Sequence, residues 1–362
     1  MRLLKLVVLV VLVLASASMP VAARPPAAAG PAFTSIGPLA FGPGGVLFAA
    51  DRQAATIFAL NLGAQASGKT PGTKDIAGVD QQIASLLGTA ATDIAITDIA
   101  VHPTSKNTFV SVMRGQGANA KPALVRIDGA GTIDLVTLDA LAFTSVTLPN
   151  PANVSTTGRG GRASSVTDLA YVDGRLVVAG LSNEEFASKL WSVPYPFAAT
   201  DRGASVEIYH GNHAAVETRA PVMAFVPYGI NGQLNIVAGY TCTPLVKFPI
   251  TDLKPGDKVR GTTIAEFGAG NRVLDMIVYR KGGQEFLLTT NNSRGVMKIP
   301  TNTFAGATPI TTPVDSETAG VPFEKVTSMT GIEQLDKLDE QNSIVIARAS
   351  SGAVNLQVVP LP

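Results

Sequence analysis

Two of the three histidines in this chain fall in one short stretch, Tyr209-His210-Gly211-Asn212-His213, with Glu217 four residues further on. Imidazole suits proton transfer near neutral pH and ligation of transition metals. Cys242 is the only cysteine, and two histidines with a thiolate would suit copper or zinc, although the spacing matches no established zinc motif. The competing reading is a solvated loop with incidental histidines. Asp98, Asp168 and Asp275 each open an apolar run. Carboxylates gathered from three places can hold a divalent cation such as calcium; equally, an aspartate ahead of a strand accepts backbone N–H groups and fixes a turn. Other chemistries find no support. The chain has no Gly-x-Ser-x-Gly elbow, a single cysteine cannot build a haem attachment, and the Gly-rich residues 158–161 precede no helical pattern that would make a phosphate loop.

The elements that position these groups repeat. A polar residue, an apolar run, a turn, a second apolar run, a polar loop and a third apolar run recur six times, with openings at Pro38, Asp98, Asp168, Val222, Asp275 and Ser328. The spacings of 60, 70, 54, 53 and 53 residues each hold about four short strands with their turns. The expected fold is therefore all-β: a six-bladed β-propeller of four-stranded antiparallel blades. The last repeat ends one strand short, so residues 32–36 are expected to close the ring as an N-terminal strand and cover its edge. Residues 80–87, apolar at Ile83, Leu86 and Leu87, read as a short helix on the connection into the second blade. His102 falls in a turn on the far face and reads as structural.

This rhythm, over roughly residues 33–362, resembles the broad group of six-bladed propellers that includes NHL-type, gluconolactonase-like and soluble quinoprotein sugar dehydrogenase-like proteins. Residues 35–38 with 45–51 and 57–60 are similar to the first blade of gluconolactonase-like enzymes. The metal-binding glutamate that this resemblance implies is Ile36 here, and a hydrocarbon side chain ligates no cation. Residues 98–103 with 108–112 and 124–127 resemble a blade of the quinoprotein sugar dehydrogenases. The base histidine implied ahead of Gly160-Gly161-Arg162 is absent; Thr157-Gly158-Arg159 stands there, and arginine stays protonated.

In such a ring the loops from second to third strands share one face with the connections between blades. That places Arg52, Arg114, Asn183, Glu184, His210, His213, Cys242, Asn291, Asn292 and Arg294 around one mouth of the central channel as the candidate ligand-binding set, the default place for a ligand being a concave site with convergent polar groups. His210, His213, Asp98, Asp168 and Asp275 form the candidate metal set, for a divalent cation. Loops carrying Asn183-Glu184, His210-His213 and Asn291–Arg294 are expected to converge across the channel.

Composition bounds the partners. Residues 1–23 read as a secretory signal, with Arg2 and Lys5, an apolar run over residues 7–14, and Val21-Ala22-Ala23 at the cleavage site; the run is much shorter than the roughly 20 apolar residues of a membrane span. Residues 24–31 are a flexible leader and residues 32–362 a single domain. Without Arg2 and Lys5, the 28 basic residues fall to 26 against 27 acidic ones, which excludes the basic field a nucleic-acid partner needs. The expectation is a monomeric periplasmic or extracellular propeller that binds a small molecule or protein at its mouth. Its rival is a periplasmic metal- or quinone-dependent enzyme, an oxidoreductase or lactone hydrolase, using the same mouth.

Overall fold

The computed structural model describes residues 30–139, 141–153, 161–242, 244–315 and 317–362. Residues 1–29, which hold the expected secretory signal and most of the expected leader, and residues 154–160 lie outside the described residues. Among the described residues no helix is long and apolar enough to cross a membrane.

Six small antiparallel sheets make the blades, numbered here by the order of their inner strands. Blade 1 comprises Leu39–Phe41, Leu47–Asp51, Thr56–Asn61 and Ala142–Thr147, and blade 2 comprises Ile94–Val101, Thr108–Arg114, Lys121–Ile127 and Ile133–Leu135. Blade 3 holds Asp168–Val172, Arg175–Leu181, Ser188–Pro194 and Ala204–His210, widened by Ala215–Glu217 and by the parallel Lys258–Arg260. Blade 4 holds Val222–Ile230, Gln233–Tyr240, Pro244–Pro249 and Thr262–Glu266, with Ala319–Gly320 at its edge. Blade 5 holds Val273–Lys281, Gln284–Asn291, Gly295–Pro300 and Glu324–Lys325, and blade 6 holds Ile332–Lys337, Asn342–Arg348 and Val354–Pro360. Two-residue turns set the inner hairpins of blades 3 and 4. Asp173-Gly174 and Asn231-Gly232 have positive φ at both positions, the conformation whose twist matches the strands it joins. The expected helix is present as Val79–Leu87.

The blades do not follow one another around the ring in chain order. Inner-strand neighbours give the circuit 1, 3, 4, 5, 6, 2 and back to 1, so blade 2 lies between blades 6 and 1. The chain leaves blade 1 after three strands, crosses to blade 2, and returns to lay Ala142–Thr147 along Thr56–Asn61 as the fourth strand of blade 1. The two long spacings, 60 and 70 residues, hold this crossing and this return.

Ring closure therefore differs from the expectation. Residues 32–36 form no strand. They are pinned at the joint of blades 1 and 2, where the Ser35 hydroxyl donates to Asp51 at 2.7 Å and the Thr97 hydroxyl donates to the Ile36 carbonyl at 3.0 Å. The outer edge of blade 6 meets the crossing segment instead. Ile76 N–H donates to the Leu356 carbonyl at 2.9 Å and Leu356 N–H returns the bond at 3.0 Å, while Asp75 accepts Val358 N–H and Asn355 accepts Gly78 N–H. Once blade 2 is placed beside blade 6, the chain leading to it passes this edge and satisfies it. Ile76, Val79 and Ile83 share a core with Val110, Val112, Ile344 and Leu356. Replacing Ile76 by Pro removes the N–H donor and part of the buried side chain, with an expected loss of about 2–4 kcal/mol against about 1 kcal/mol for Ile76→Val. Urea midpoints that do not separate the two variants would deny this segment its closing role.

Two repeat openings also shift. In the fourth blade the position matching Asp98 and Asp275, just after the irregularity in the inner strand, is Ala224 rather than Val222, and in the sixth it is Gln334 rather than Ser328.

Candidate functional site

Pro38, Asp98, Asp168, Ala224, Asp275 and Gln334 form one layer around a central cavity of about 60 Å³. Taken around the ring, every second blade supplies an aspartate. Each does the same two things. Its Oδ1 accepts the N–H of the next residue, Ile99 at 2.8 Å, Leu169 at 2.7 Å and Met276 at 2.7 Å. Its Oδ2 accepts an N–H from the following blade's inner strand, Leu39 at 2.7 Å, Phe225 at 2.7 Å and Leu335 at 2.8 Å. Three staples thus join blades 2 and 1, 3 and 4, and 5 and 6, all in one rotational sense. Gln334, with its amide oriented to donate, reaches Asp275 at 3.2 Å and Asp98 at 3.0 Å. Asp336 adds a fourth staple, accepting Lys337 N–H at 2.6 Å and Val101 N–H of blade 2 at 2.7 Å. The turn-fixing role of the aspartates is therefore filled, between blades as well as within them.

Burial raises all four carboxyls, and mutual repulsion adds to it for the three in the layer: Asp98 feels Asp168 and Asp336, Asp168 feels Asp275, and Asp275 feels Asp98 and Asp336. Asp336 is pushed up to about 6. Below the layer the channel widens on the turn face into a cavity of about 490 Å³, with Phe41, Tyr171 and Pro227 on its wall; Lys106, Lys337 and Asp336 line it together with Asp98, Asp168 and Asp275 of the layer.

The loop face carries a cavity of about 620 Å³ between blades 5 and 6. Asn291, Asn292 and Ser293 line it from blade 5, Arg272 from the connection into that blade, and Glu333, Gln334 and Arg348 from blade 6. Gln334 lines the aspartate layer as well. Arg348 and Glu333 meet through two bonds, Nε to Oε1 at 2.5 Å and a terminal guanidinium nitrogen to Oε2 at 2.9 Å, the planar two-point pairing that suits arginine. Asn292 Oδ1 accepts Arg272 N–H at 2.7 Å. Asn291 is buried and bonds inward, to Asn271 and to the Gly295 carbonyl.

The other expected residues are spread around the ring. Arg52 lines a separate loop-face cavity of about 550 Å³ at blades 1 and 2, where its Nε donates to the Ala163 carbonyl at 2.7 Å; burial lowers its pKa and Asp98 partly restores it. Gly37 leaves room for that side chain, since a Cβ there would lie 2.3 Å from the Arg52 Cδ. Arg114 is exposed at a strand end. Glu184 is the partner of the buried Lys189 at 2.8 Å and of Asn150 at 3.0 Å; burial pushes its carboxyl up, but these partners outweigh it and hold it below the usual range. Asn183 N–H donates to the Asn150 carbonyl. Arg294 turns away from Asn292 toward Glu317, at 3.1 Å, and lines a different cavity with Phe323 and Lys325. Cys242 is half-buried in a left-handed turn, its N–H bonded to the Asn271 carbonyl at 2.6 Å. His210 and His213 meet Glu217, at 3.0 and 2.6 Å, outside these cavities. The loops of Asn183, His210 and Asn291 share no described cavity. His102 is buried, with Nδ1 accepting Ser105 N–H at 3.0 Å and its ring edge-on to Phe41, a structural histidine.

Sequence reasoning did not single out Glu333, Gln334, Asp336 or Arg272. The misplaced sixth opening hid the first three. Unlike Asp98, Asp168 and Asp275, Asp336 stands among polar residues in Ile332-Glu333-Gln334-Leu335-Asp336-Lys337, so the run carried no signal that marked it as an inner strand.

No protein-family profile matches this chain, and no curated protein does. Solved structures are similar in fold alone. A chain of the mitotic checkpoint complex shares 10% identity with a TM-score of 0.36, covering 91% of this chain and 93% of that one. The quinone-bound aldose sugar dehydrogenase of Streptomyces coelicolor shares 12% identity with a TM-score of 0.32, covering 91% and 96%. A Hadza microbial sialidase shares 13% identity with a TM-score of 0.35, covering 91% and 66%.

Proposed function

We propose that this protein is an exported propeller that binds a small hydroxylated or carboxylated molecule in the loop-face cavity between blades 5 and 6. The observation that carries the reading is the convergence of Arg272, Asn292, Ser293, Glu333, Gln334 and Arg348 on one cavity of about 620 Å³. That volume is within the range of sites that enclose small ligands, and a few fixed donors and acceptors on a concave wall are what orient them. The guanidinium and amide groups offer donors, and Glu333 offers an acceptor whose geometry is held by Arg348. Export rests on residues 1–23, with their charged start, apolar run and small-residue cleavage site. The rival metal- or quinone-dependent enzyme at the same mouth is less supported, because His210 and His213 lie outside this cavity.

Calorimetric titration of the full chain with a panel of monosaccharides and their aldonic acids tests the reading. At least one compound should bind saturably, and Arg348→Ala should weaken it tenfold or more. The half-exposed Arg348 is expected to change stability by no more than about 0.5–1 kcal/mol when truncated. A panel with no binder, or a binder indifferent to Arg348→Ala, would remove this cavity as the site.

A further inference from the structure

The joint of blades 3 and 4 holds a second chemical centre, remote from the loop-face cavity. The strand Ala204–His210 ends in the tight turn Gly211–His213, and the chain doubles back through Ala214, at φ 52°, into Ala215–Glu217, which pairs with the strand it left. The reversal brings the rings of His210 and His213 to 3.8 Å between centroids, tilted by 39°. It also aims both Nδ1 atoms at one oxygen, Glu217 Oε1, at 3.0 and 2.6 Å. Three potential ligand atoms thus lie within 4.8 Å of one another.

Behind them sits Glu266, fully buried. Its Oε1 accepts Gly211 N–H at 2.6 Å. Its Oε2 has no hydrogen-bond partner, and neither has Nε2 of the fully buried His210, which faces it at 3.7 Å. Contact of Nδ1 with a carboxylate oxygen assigns the ring proton to Nδ1, so a neutral His210 turns a bare Nε2 toward a carboxylate. Two buried acceptors facing each other is a costly arrangement.

We propose that His210, His213 and Glu217 form a binding site for a divalent transition metal of the zinc type, with Glu266 as the carboxylate that orients His210. A metal on Nδ1 moves the ring proton of His210 to Nε2, where it becomes a donor to Glu266 Oε2. Both orphaned atoms are then satisfied, and no net proton leaves the ring. Metal-bound histidines commonly donate their other N–H to a carboxylate in this way. Two imidazoles and a carboxylate with a fourth position open to solvent are a set that zinc accepts at about 2.0–2.1 Å per ligand. Tetrahedral ligands at that distance are about 3.3 Å apart, so Glu217 has to withdraw by about 0.3 Å from His210 and about 0.7 Å from His213, and the half-exposed His213 ring has to swing away from the His210 ring, which it now approaches to 3.8 Å. His213 is 47% exposed and Glu217 23%, which gives an ion a path in and leaves the fourth position to water. Gly211 keeps the turn compact, because a Cβ there would lie 2.6 Å from Val314 Cγ2.

The test is calorimetric titration of chelator-stripped full-length protein with Zn²⁺ alone, paired with the absorption spectrum of the Co²⁺ form. One Zn²⁺ per chain should bind saturably, and Co²⁺ should show the intense visible bands of four-coordinate geometry. His213→Ala should weaken Zn²⁺ binding more than 100-fold, and Glu266→Gln, which touches no metal, by about 10- to 100-fold. Because His213 is half exposed, its variant should keep the wild-type thermal midpoint in the absence of metal. No saturable uptake, or uptake that His213→Ala leaves at wild-type affinity, would overturn the proposal and leave a proton as what the cluster holds.

Discussion

Replacing Asp168 by Ala should lower the unfolding free energy by about 2–4 kcal/mol, although the residue touches no proposed ligand. The change orphans two backbone donors at once, Leu169 N–H within blade 3 and Phe225 N–H in blade 4. Leu169 and Phe225 are buried, so water does not readily replace the lost acceptor. Each unsatisfied buried donor costs about 1–3 kcal/mol. Relief of the carboxylate's own burial, and of its repulsion with Asp275, offsets part of that. The same substitution at Asp98 or Asp275 should act alike, because each bridges one pair of blades in the same sense. Asp168→Asn should be intermediate, since one amide oxygen can still accept while the NH₂ group faces the other donor. Urea unfolding measures the four variants. A loss below 1 kcal/mol for Asp168→Ala would show that the inner strands are held by side-chain packing and that the staples are incidental.

This pattern was half legible in the sequence. Asp98, Asp168 and Asp275 are conspicuous because each interrupts an otherwise apolar repeat, and period-2 alternation with turn residues gives the strands around them. What the repeat does not encode is circular order. Neighbouring blades meet through inner-strand contacts with no local signature, so the interleaving of blades 1 and 2 shows only as two overlong spacings. The strand Ala142–Thr147 pairs with residues more than eighty positions earlier, and Ile76 pairs with Leu356 near the other end of the domain. Such partners are chosen by which edge is left open, a property of the assembled ring.

The candidate site was less legible for a related reason. Loop position and polarity put Asn291, Asn292 and Arg294 together, yet Asn291 turns inward to Asn271, and Arg294 is drawn to Glu317 across a different cavity. Side-chain direction on a tight loop is set by the nearest unsatisfied partner, which a single sequence does not reveal. The histidine turn was the reverse case. His210, His213 and Glu217 were visible as a set, whereas Glu266, which gives the set its buried second carboxylate, is contributed by another blade.

The channel carboxylates should also invert the usual acid sensitivity of the fold. Asp336 is pushed up to about 6, first by burial, so between its unfolded value near 4 and that point the folded chain holds a proton that the unfolded chain has released. Stability contributed by such a group is complete at low pH and declines as pH rises. A displacement of about two units at 1.36 kcal/mol each corresponds to a loss of roughly 2–3 kcal/mol between pH 4 and pH 6. Asp98, Asp168 and Asp275, raised well above the ordinary value, extend the decline further. Groups with lowered values act the other way: Glu217, held down by His210 and His213, and Asp128, held down by backbone N–H groups against a burial that raises it, lose their contribution only as pH falls through the ordinary carboxylate range. His102, lowered by burial and by Lys106, adds a small gain as pH rises through the histidine range. The balance places maximum stability near pH 4–5, with a lower thermal midpoint at pH 7.5 than at pH 5. Asp336→Asn, which keeps the shape and removes the titration, should recover part of that difference at pH 7.5. A wild-type midpoint that rises steadily from pH 5 to pH 7.5 would mean that the central carboxylates are ionised in the folded ring, and that the close approach of Asp98, Asp168, Asp275 and Asp336 is neutralised by something other than protons.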